Sequence, residues 1–587
     1  MSSIKLLALA AAMSVSVGAF ADVYETSFEG NWYNESQNGR GVTVDYVPQA
    51  LGNGTYVIVS FTYDAQGNPT WLQYVASGRE GQRLFKNVDV FRVSGGAPGN
   101  TFPPLSAITS TKVGTAVVDM ASCSRIKIDF TPLSTSNIPA VNLDMTRLDA
   151  PGKGSSSCPF VKEFTACPTG TTAVAGVDRV CEIPAGTVSG DLRLTNTATY
   201  RLGGRVAIGG AMALSGVPST TTGRLFVEPG TVVRGNEAST SRLIINPGSR
   251  IFAEGTPSAP IVFTGLTEVA DATVNGGTWA GLIIAGRAPI NTGCTGGGTN
   301  VTCAFEADSA IVWGGTDAND SSGVLKYVQI RSSGGFLAPN VDLNALTLGG
   351  VGAGTLIDFV QAAYNGDDGF EMFGGTVNLK HIVSLGSNDD NIDTDFGYVG
   401  KIQYAYIKQG PGIDTDSHGI ESDNGPTVFD ALPRTRPTVI NATFDGVGLG
   451  FDGARIRRGS AYVLQNVVFV NFTGSCLNFN DAATYEATRT SGAFNGVTSI
   501  SGAYFGCTKQ FDDQAADPYL LSTFVNGQAD NVTGVATGLF NSDGRTLLLN
   551  SPLRNATQTS SDSFFERYGA KGAFVDGDWT QGWTIGL

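Results

Sequence analysis

From Gly41 to Val47 the chain reads GVTVDYV, and from Thr55 to Asp64 TYVIVSFTYD, with apolar and polar residues alternating before the turn DAQGNP. A period of two marks half-buried strands joined as hairpins, so residues 22–150 are expected to form a small antiparallel β-domain. Residues 151–185 shift to PGKGSSSCP and TACPTGTTAVAG, a Cys/Gly-rich connector. Beyond it the pattern changes again. RLFVEPGTVVRG (Arg224–Gly235) and RLIINPGSRIFAEG (Arg242–Gly255) match at an interval of 18 residues. Short β-branched strands then recur as LKYVQI, IDFVQA, LKHIVS, IQYAYI and LQNVVF.

Strands repeating every ~18–30 residues with Gly and Asn between them suit stacked coils, in which equivalent positions form continuous apolar rows. The fold expected for residues 186–587 is a right-handed parallel β-helix, and the chain as a whole is all-β. A β-propeller would need blades of about 40 residues. The spacing here is too short for one.

Composition refines this picture. The first 21 residues, MSSIKLLALAAAMSVSVGAFA, carry one Lys, a short apolar core and an Ala-Phe-Ala end, the pattern of a cleaved export signal. No later run is long and apolar enough to span a bilayer. The expected location is therefore periplasmic, outer-surface or extracellular. Eight Cys in an exported chain make disulfides the default, with Cys294–Cys303 a short closure. The 77 Gly and 15% charged residues favour many turns and few amphipathic helices. A net charge of −15 argues against a nucleic-acid partner, whose phosphates demand a basic surface.

Two sets of phrases carry resemblances. NWYNESQNGRG (Asn31–Gly41) and YDAQGNPTW (Tyr63–Trp71) resemble a small β-domain of secreted bacterial proteins. Its Trp32, Tyr33, Tyr63, Trp71 and Tyr74 are candidates for stacking on a cell-surface glycan or polysaccharide, against a commoner role in core and turns. EPGTVVRG, WAGLIIAGRAPIN, DDGFEMFGGTVN, NDDNIDTDFGYVGK, GARIRRGS and GDWTQGWT together resemble a group of secreted bacterial β-helix proteins. That resemblance implies fold and export and brings no activity with it.

The chemistry concentrates in GDDGFEMFGG and NDDNIDTDFG, which repeat after 22 residues. Aligning GFEMF, NIDTD, GIESD and GFDGA places Glu371, Asp393, Glu421 and Asp452 in one recurring position, with Asp367, Asp368, Asp389 and Asp390 forming a second acidic row. Coils stack about 4.8 Å apart. Like charges at that distance repel by about 3 kcal/mol at an effective dielectric near 20. Bound cations, raised carboxyl pKa values or nearby Arg and Lys must compensate. Calcium, which takes 6–8 oxygens, suits paired carboxylates at coil corners. Solvated carboxylates with corner hydrogen bonds are the structural alternative.

The order NGDDG, NDDN, SHG and RIR also resembles the site phrases of polygalacturonases, which are parallel β-helix hydrolases. The resemblance implies Asp390 as acid, Asp368 and Asp389 as water-activating bases, and His418 and Arg455 as substrate contacts. Ser417 and Arg457 depart from that pattern. His381, by its spacing from Tyr327, Phe359 and Tyr404, is expected in a stacked side-chain row. His418, amid Asp414, Asp416, Glu421 and Asp423, is expected to have a raised pKa and favour its charged form. Two functions emerge: a calcium-supported binding or scaffolding protein with glycan contacts, and a hydrolase of acidic polysaccharides.

Overall fold

The computed structural model describes residues 28–49, 53–79, 81–95, 108–148, 162–236, 240–267, 277–292, 301–305, 308–335 and 343–587. The expected export segment lies outside them. The chain divides into two units, the second beginning at Cys167. No helix among the described residues is long and apolar enough to cross a membrane.

The first unit is an eight-stranded antiparallel barrel. Its first strand, Gly30–Tyr33, pairs with both Gly41–Pro48 and Val141–Arg147, which closes the sheet and removes its edges. Period-two alternation buries Val42, Val44, Ile58, Leu72, Val90 and Ile128 in the interior. Of the aromatic residues considered for glycan stacking, Trp32 and Tyr74 belong to this core, while Trp71 is 40% exposed.

The second unit is a parallel β-helix. One parallel sheet of eleven short strands runs from Gly186–Val188 to Lys509–Phe511 and includes Leu346–Gly349, Phe370–Phe373, Ile392–Asp395, Ile420–Ser422 and Ala454–Ile456. Longer strands, Gly323–Arg331, Leu356–Ala363, Asn378–Leu385, Lys401–Lys408 and Thr438–Asp445, pair successively around the rest of the coil. Inward positions stack: Phe444 lies over Phe469 at 4.7 Å between centroids, and Phe469 over Phe505 at 6.0 Å.

Coiling begins before residue 186, where the connector was expected to end. Val180–Ile183 already pairs in parallel with Thr199–Leu202, and a Cys167–Cys181 disulfide ties down the entry. The Gly- and Ser-rich composition masked a strand, VCEI, of alternating burial. A second disulfide joins Cys476 and Cys507; Cys303 is also oxidised, whereas Cys294 of the expected short loop lies outside the described residues.

The 18-residue match also has a different origin from that expected. Arg224–Val227 stacks on Arg250–Ala253, and Arg242–Ile245 on Arg205–Ile208. The two phrases therefore form adjacent sides of a coil, each a strand followed by a Pro-Gly turn, rather than successive coils.

Each long strand is interrupted at one place. Tyr327, Phe359, His381, Tyr404, Asn441 and Asn466 all have φ between 48° and 58°, and the pairing registers skip them. A left-handed residue turns the strand around the corner of the coil. Asn adopts this conformation readily, but for an aromatic or His residue it costs about 1–2 kcal/mol. Ring stacking offsets the cost: Tyr327–Phe359, Phe359–His381 and His381–Tyr404 stack at 4.4, 4.2 and 4.8 Å. His381 thus takes its expected place in a stacked row.

Candidate functional site

The core fixes the position of the acids. Phe370, Ile392, Ile420 and Ala454 point inward and are fully buried. Alternation then sends Glu371, Asp393, Glu421 and Arg455 to the outer face, where parallel pairing sets Glu371 opposite Asp393, Asp393 opposite Glu421, and Glu421 opposite Arg455. Three members of the expected ladder are therefore in register. Asp452 is not: Arg455 occupies its place. The four-way alignment followed the acids, whereas the structure follows the apolar positions, with Ala454 inward and Phe451 exposed.

Asp452 belongs to a second row. In that row the backbone N–H of one coil donates to a carboxylate of the coil before it. Asp390 N donates to Asp368 Oδ1 at 2.8 Å, His418 N to Asp390 Oδ1 at 2.7 Å, and Ser475 N to Asp452 Oδ1 at 2.6 Å. Ser475 Oγ and Asn478 Nδ2 also bind Asp452, at 2.6 and 2.8 Å. Five hydrogen-bond donors across the row hold these buried carboxyls. Asp452 falls in no ligand set among the described residues.

The remaining acids converge. Three sets hold one ligand atom per residue within 4.8 Å of one another: Asp367, Asp368 and Asp389; Asp368, Glu371 and Asp393; and Asp390, His418 and Glu421. Every acid expected to bind metal except Asp452 falls into one of them.

Compensation is uneven along the face. At the C-terminal end Arg457 binds Glu421 and also Asp423, the latter at 2.7 Å, Arg458 meets Asp423 at 2.5 Å, and Arg455 meets Asp416 at 3.0 Å. At the other end the influences on Asp368 are burial and the negative charges of Asp367, Glu371, Asp390 and Asp393, which push its carboxyl well above the usual range. Asp393 is pushed up in the same way, by burial and by Glu371, Glu421, Asp423 and Asp395. Its Oδ1 is buried with no hydrogen-bond partner among the described residues. Burial also raises Asp395 and Glu421 to about 7.

The structure corrects the expectation for His418. Burial holds its pKa down, to about 4, despite the acids around it. Its side chain is 1% exposed, Nδ1 lies 2.9 Å from Asp390 Oδ1, and Phe451 meets the ring edge-on at 6.0 Å. Of the acids expected to raise it, Asp416 and Asp423 are paired with arginine and Glu421 is pushed toward neutrality by burial. The lowered pKa favours the neutral imidazole.

The catalytic order read from the sequence does bring Asp368, Asp390 and His418 into one row, with Asp389 exposed beside it. A glycosidase acid must reach a glycosidic oxygen. Asp390 is 3% exposed, and its Oδ1 is taken by His418 N and Nδ1. Arg455 is bound to Asp416.

Sequence reading left Asp395 out of the acidic face and used Asp423 only as a neighbour of His418. Each lies two residues beyond a ladder acid, Asp393 or Glu421, and period two alone returns them to the same face.

The family model of the pectate-lyase like beta helix domain matches residues 186–584. The chain belongs to that family. Family membership accounts for the stacked coils on which both acidic rows are built. Comparison with curated proteins finds no match. Among solved structures the chain is similar to the catalytic domain of a GH87 alpha-1,3-glucanase variant in complex with tetrasaccharides, at 12% identity and a TM-score of 0.25, over 84% of this chain and 97% of that one.

Proposed function

We propose that this member of the β-helix family is an exported binding or scaffolding protein whose acidic face holds a divalent cation between Asp368, Glu371 and Asp393. The observation that carries this reading is the unshared oxygen of Asp393 beside two further carboxyls, in a place where burial penalises every uncompensated charge. An all-oxygen carboxylate set on adjacent coils suits a hard cation, and calcium tolerates irregular geometry better than magnesium does. A bound ion supplies positive charge that draws the three carboxyls to their ionised form. The chain's own part is to hold them on a rigid sheet. The binding reading is favoured over hydrolysis because Asp390 and His418 are sealed and already bonded to each other.

Thermal unfolding tests the proposal. Calcium at about 100 times its Kd should stabilise the protein by about 2.7 kcal/mol, read as a rise in Tm that chelator reverses. Asp393→Asn should abolish the rise. A midpoint indifferent to calcium and chelator in the native chain would sink the proposal, and sugar release from polygalacturonate that Asp390→Asn abolishes would establish hydrolysis in its place.

A further inference from the structure

On the side of the coil formed by the long strands, whose residues alternate along the chain with those of the acidic rows, the C-terminal segment lies over the corner row. Gln403 Nε2 donates to Glu566 O at 2.8 Å, and Glu566 N donates to Gln403 Oε1 at 2.9 Å. Asn441 Nδ2 binds Ala570 O at 2.8 Å, and Ala573 N binds Thr443 Oγ1 at 2.9 Å. These bonds hold the segment against the sheet and leave a pocket of about 260 Å³ between them, lined chiefly by His381, Tyr404, Glu566, Tyr568, Asp576 and Trp579.

The lining combines two chemistries. Rings form its walls: Tyr568 meets Tyr404 edge-on at 6.1 Å, Trp579 meets His381 at 5.2 Å, and His381 stacks on Tyr404. Acids and phenols supply its polar groups: Tyr404 Oη lies 3.2 Å from Glu566 Oε2, and Tyr568 Oη 3.5 Å from Asp576 Oδ2. Burial and these carboxylates hold both phenols above their ordinary pKa, so they remain donors at neutral pH. No Lys or Arg is among the described residues lining the pocket. Tyr404 and His381 keep their rings here on left-handed backbone, where the next two coils place Asn.

We propose that this pocket binds one ring of a neutral pyranose chain, through stacking on its aromatic walls and hydroxyl hydrogen bonds to Glu566 and Asp576. Aromatic rings cover the apolar face of a sugar, and carboxylates accept from adjacent hydroxyls. The volume is that of a small ligand site rather than a protein interface. An anionic sugar is disfavoured, because its carboxylate would meet three acids, Glu566, Asp576 and Asp578, while Lys380 and Arg545, which pair with the first and the last, lie outside the lining. The site is independent of the cation at Asp368, Glu371 and Asp393.

The test is calorimetric titration of the full chain, with chelator and with calcium, against neutral gluco- and manno-oligosaccharides, galacturonate oligomers and tetramethylammonium. Saturable binding of a neutral oligosaccharide is expected, at least tenfold tighter than of galacturonate, with or without calcium. Tyr568→Ala and Trp579→Ala should each weaken it about tenfold. Asp576→Asn, at an exposed position where folding is not at stake, should narrow the discrimination against galacturonate several-fold. The proposal is overturned by no binding to any neutral sugar, by binding that Tyr568→Ala and Asp576→Asn both leave unchanged, or by tetramethylammonium binding tighter than every sugar. Loss of the calcium effect on Tm with sugar binding intact would remove the cation reading alone.

Discussion

At the scale of single residues, the acids and His418 make stability depend on pH in opposite directions. Asp395 and Glu421 have folded pKa values of about 7, raised above their unfolded values near 4. Their stabilisation is complete below about pH 4 and is lost as pH rises through 7. His418 is depressed from 6.5 to about 4, so its contribution is present above pH 6.5 and is lost as pH falls toward 4. In chelator the two windows overlap between about pH 4 and 7, and two acids outweigh one histidine, so Tm should fall as pH rises through that range. His418→Gln should steepen the fall by up to about 3 kcal/mol. Calcium should flatten it, because it favours ionised carboxyls. A series of melts from pH 4 to 9 reads both effects, and a fall equally steep with and without calcium contradicts the cation site. The identity of the acids was legible in the sequence, down to the 22-residue repeat. Their protonation was not, because it depends on burial and pairing: Asp416, an acid expected to charge His418, is bound to Arg455 from 39 residues away.

At the scale of the strand, the corner row shows why the register was readable in part. Where a coil is 22 residues long, GDDGFEMF and NDDNIDTD superpose directly, and the expected pairing of Glu371 with Asp393 holds. The next coils lengthen to 28 and then 34 residues through loops of irregular composition, and the alignment slips by three residues at Asp452. Apolar inward positions carry the register more reliably than acids do, since a slip there would expose the core. The corner itself was visible only as a spacing of Tyr327, Phe359, His381 and Tyr404. Nothing in the side chains announces a positive φ. Asn441 and Asn466 occupy the same corner without stacking partners of that kind, and their role is conformational. Asn441→Ala should cost about 2–3 kcal/mol, from the left-handed backbone and the lost bond to Ala570 O together, whereas Asn441→Gly should cost about 1. Chemical denaturation of the two variants separates these contributions. Equal losses would show that φ carries no share.

At the scale of the whole molecule, a solenoid of coils that contact only their neighbours behaves as a one-dimensional chain of interfaces. The acidic coils, residues 366–423, are thereby separable from the C-terminal coils that the Cys476–Cys507 disulfide closes across 31 residues. Loop-closure entropy for that span is about 3–4 kcal/mol. Replacing both cysteines with alanine should raise hydrogen exchange through Val463–Gln465, Ser475–Phe479 and Lys509–Phe511 first. The response of Phe370–Phe373 and Ile392–Asp395 to calcium should persist in the same sample. One link opposes such independence: the segment holding Glu566, Ala570 and Ala573 reaches back to Gln403, Asn441 and Thr443, bracing the middle coils from outside. If exchange in Lys401–Lys408 rises together with that in Lys509–Phe511, the brace couples the two ends. If only the C-terminal strands respond, each coil depends on its neighbours alone, and the cation face and the aromatic pocket can gain or lose their ligands separately.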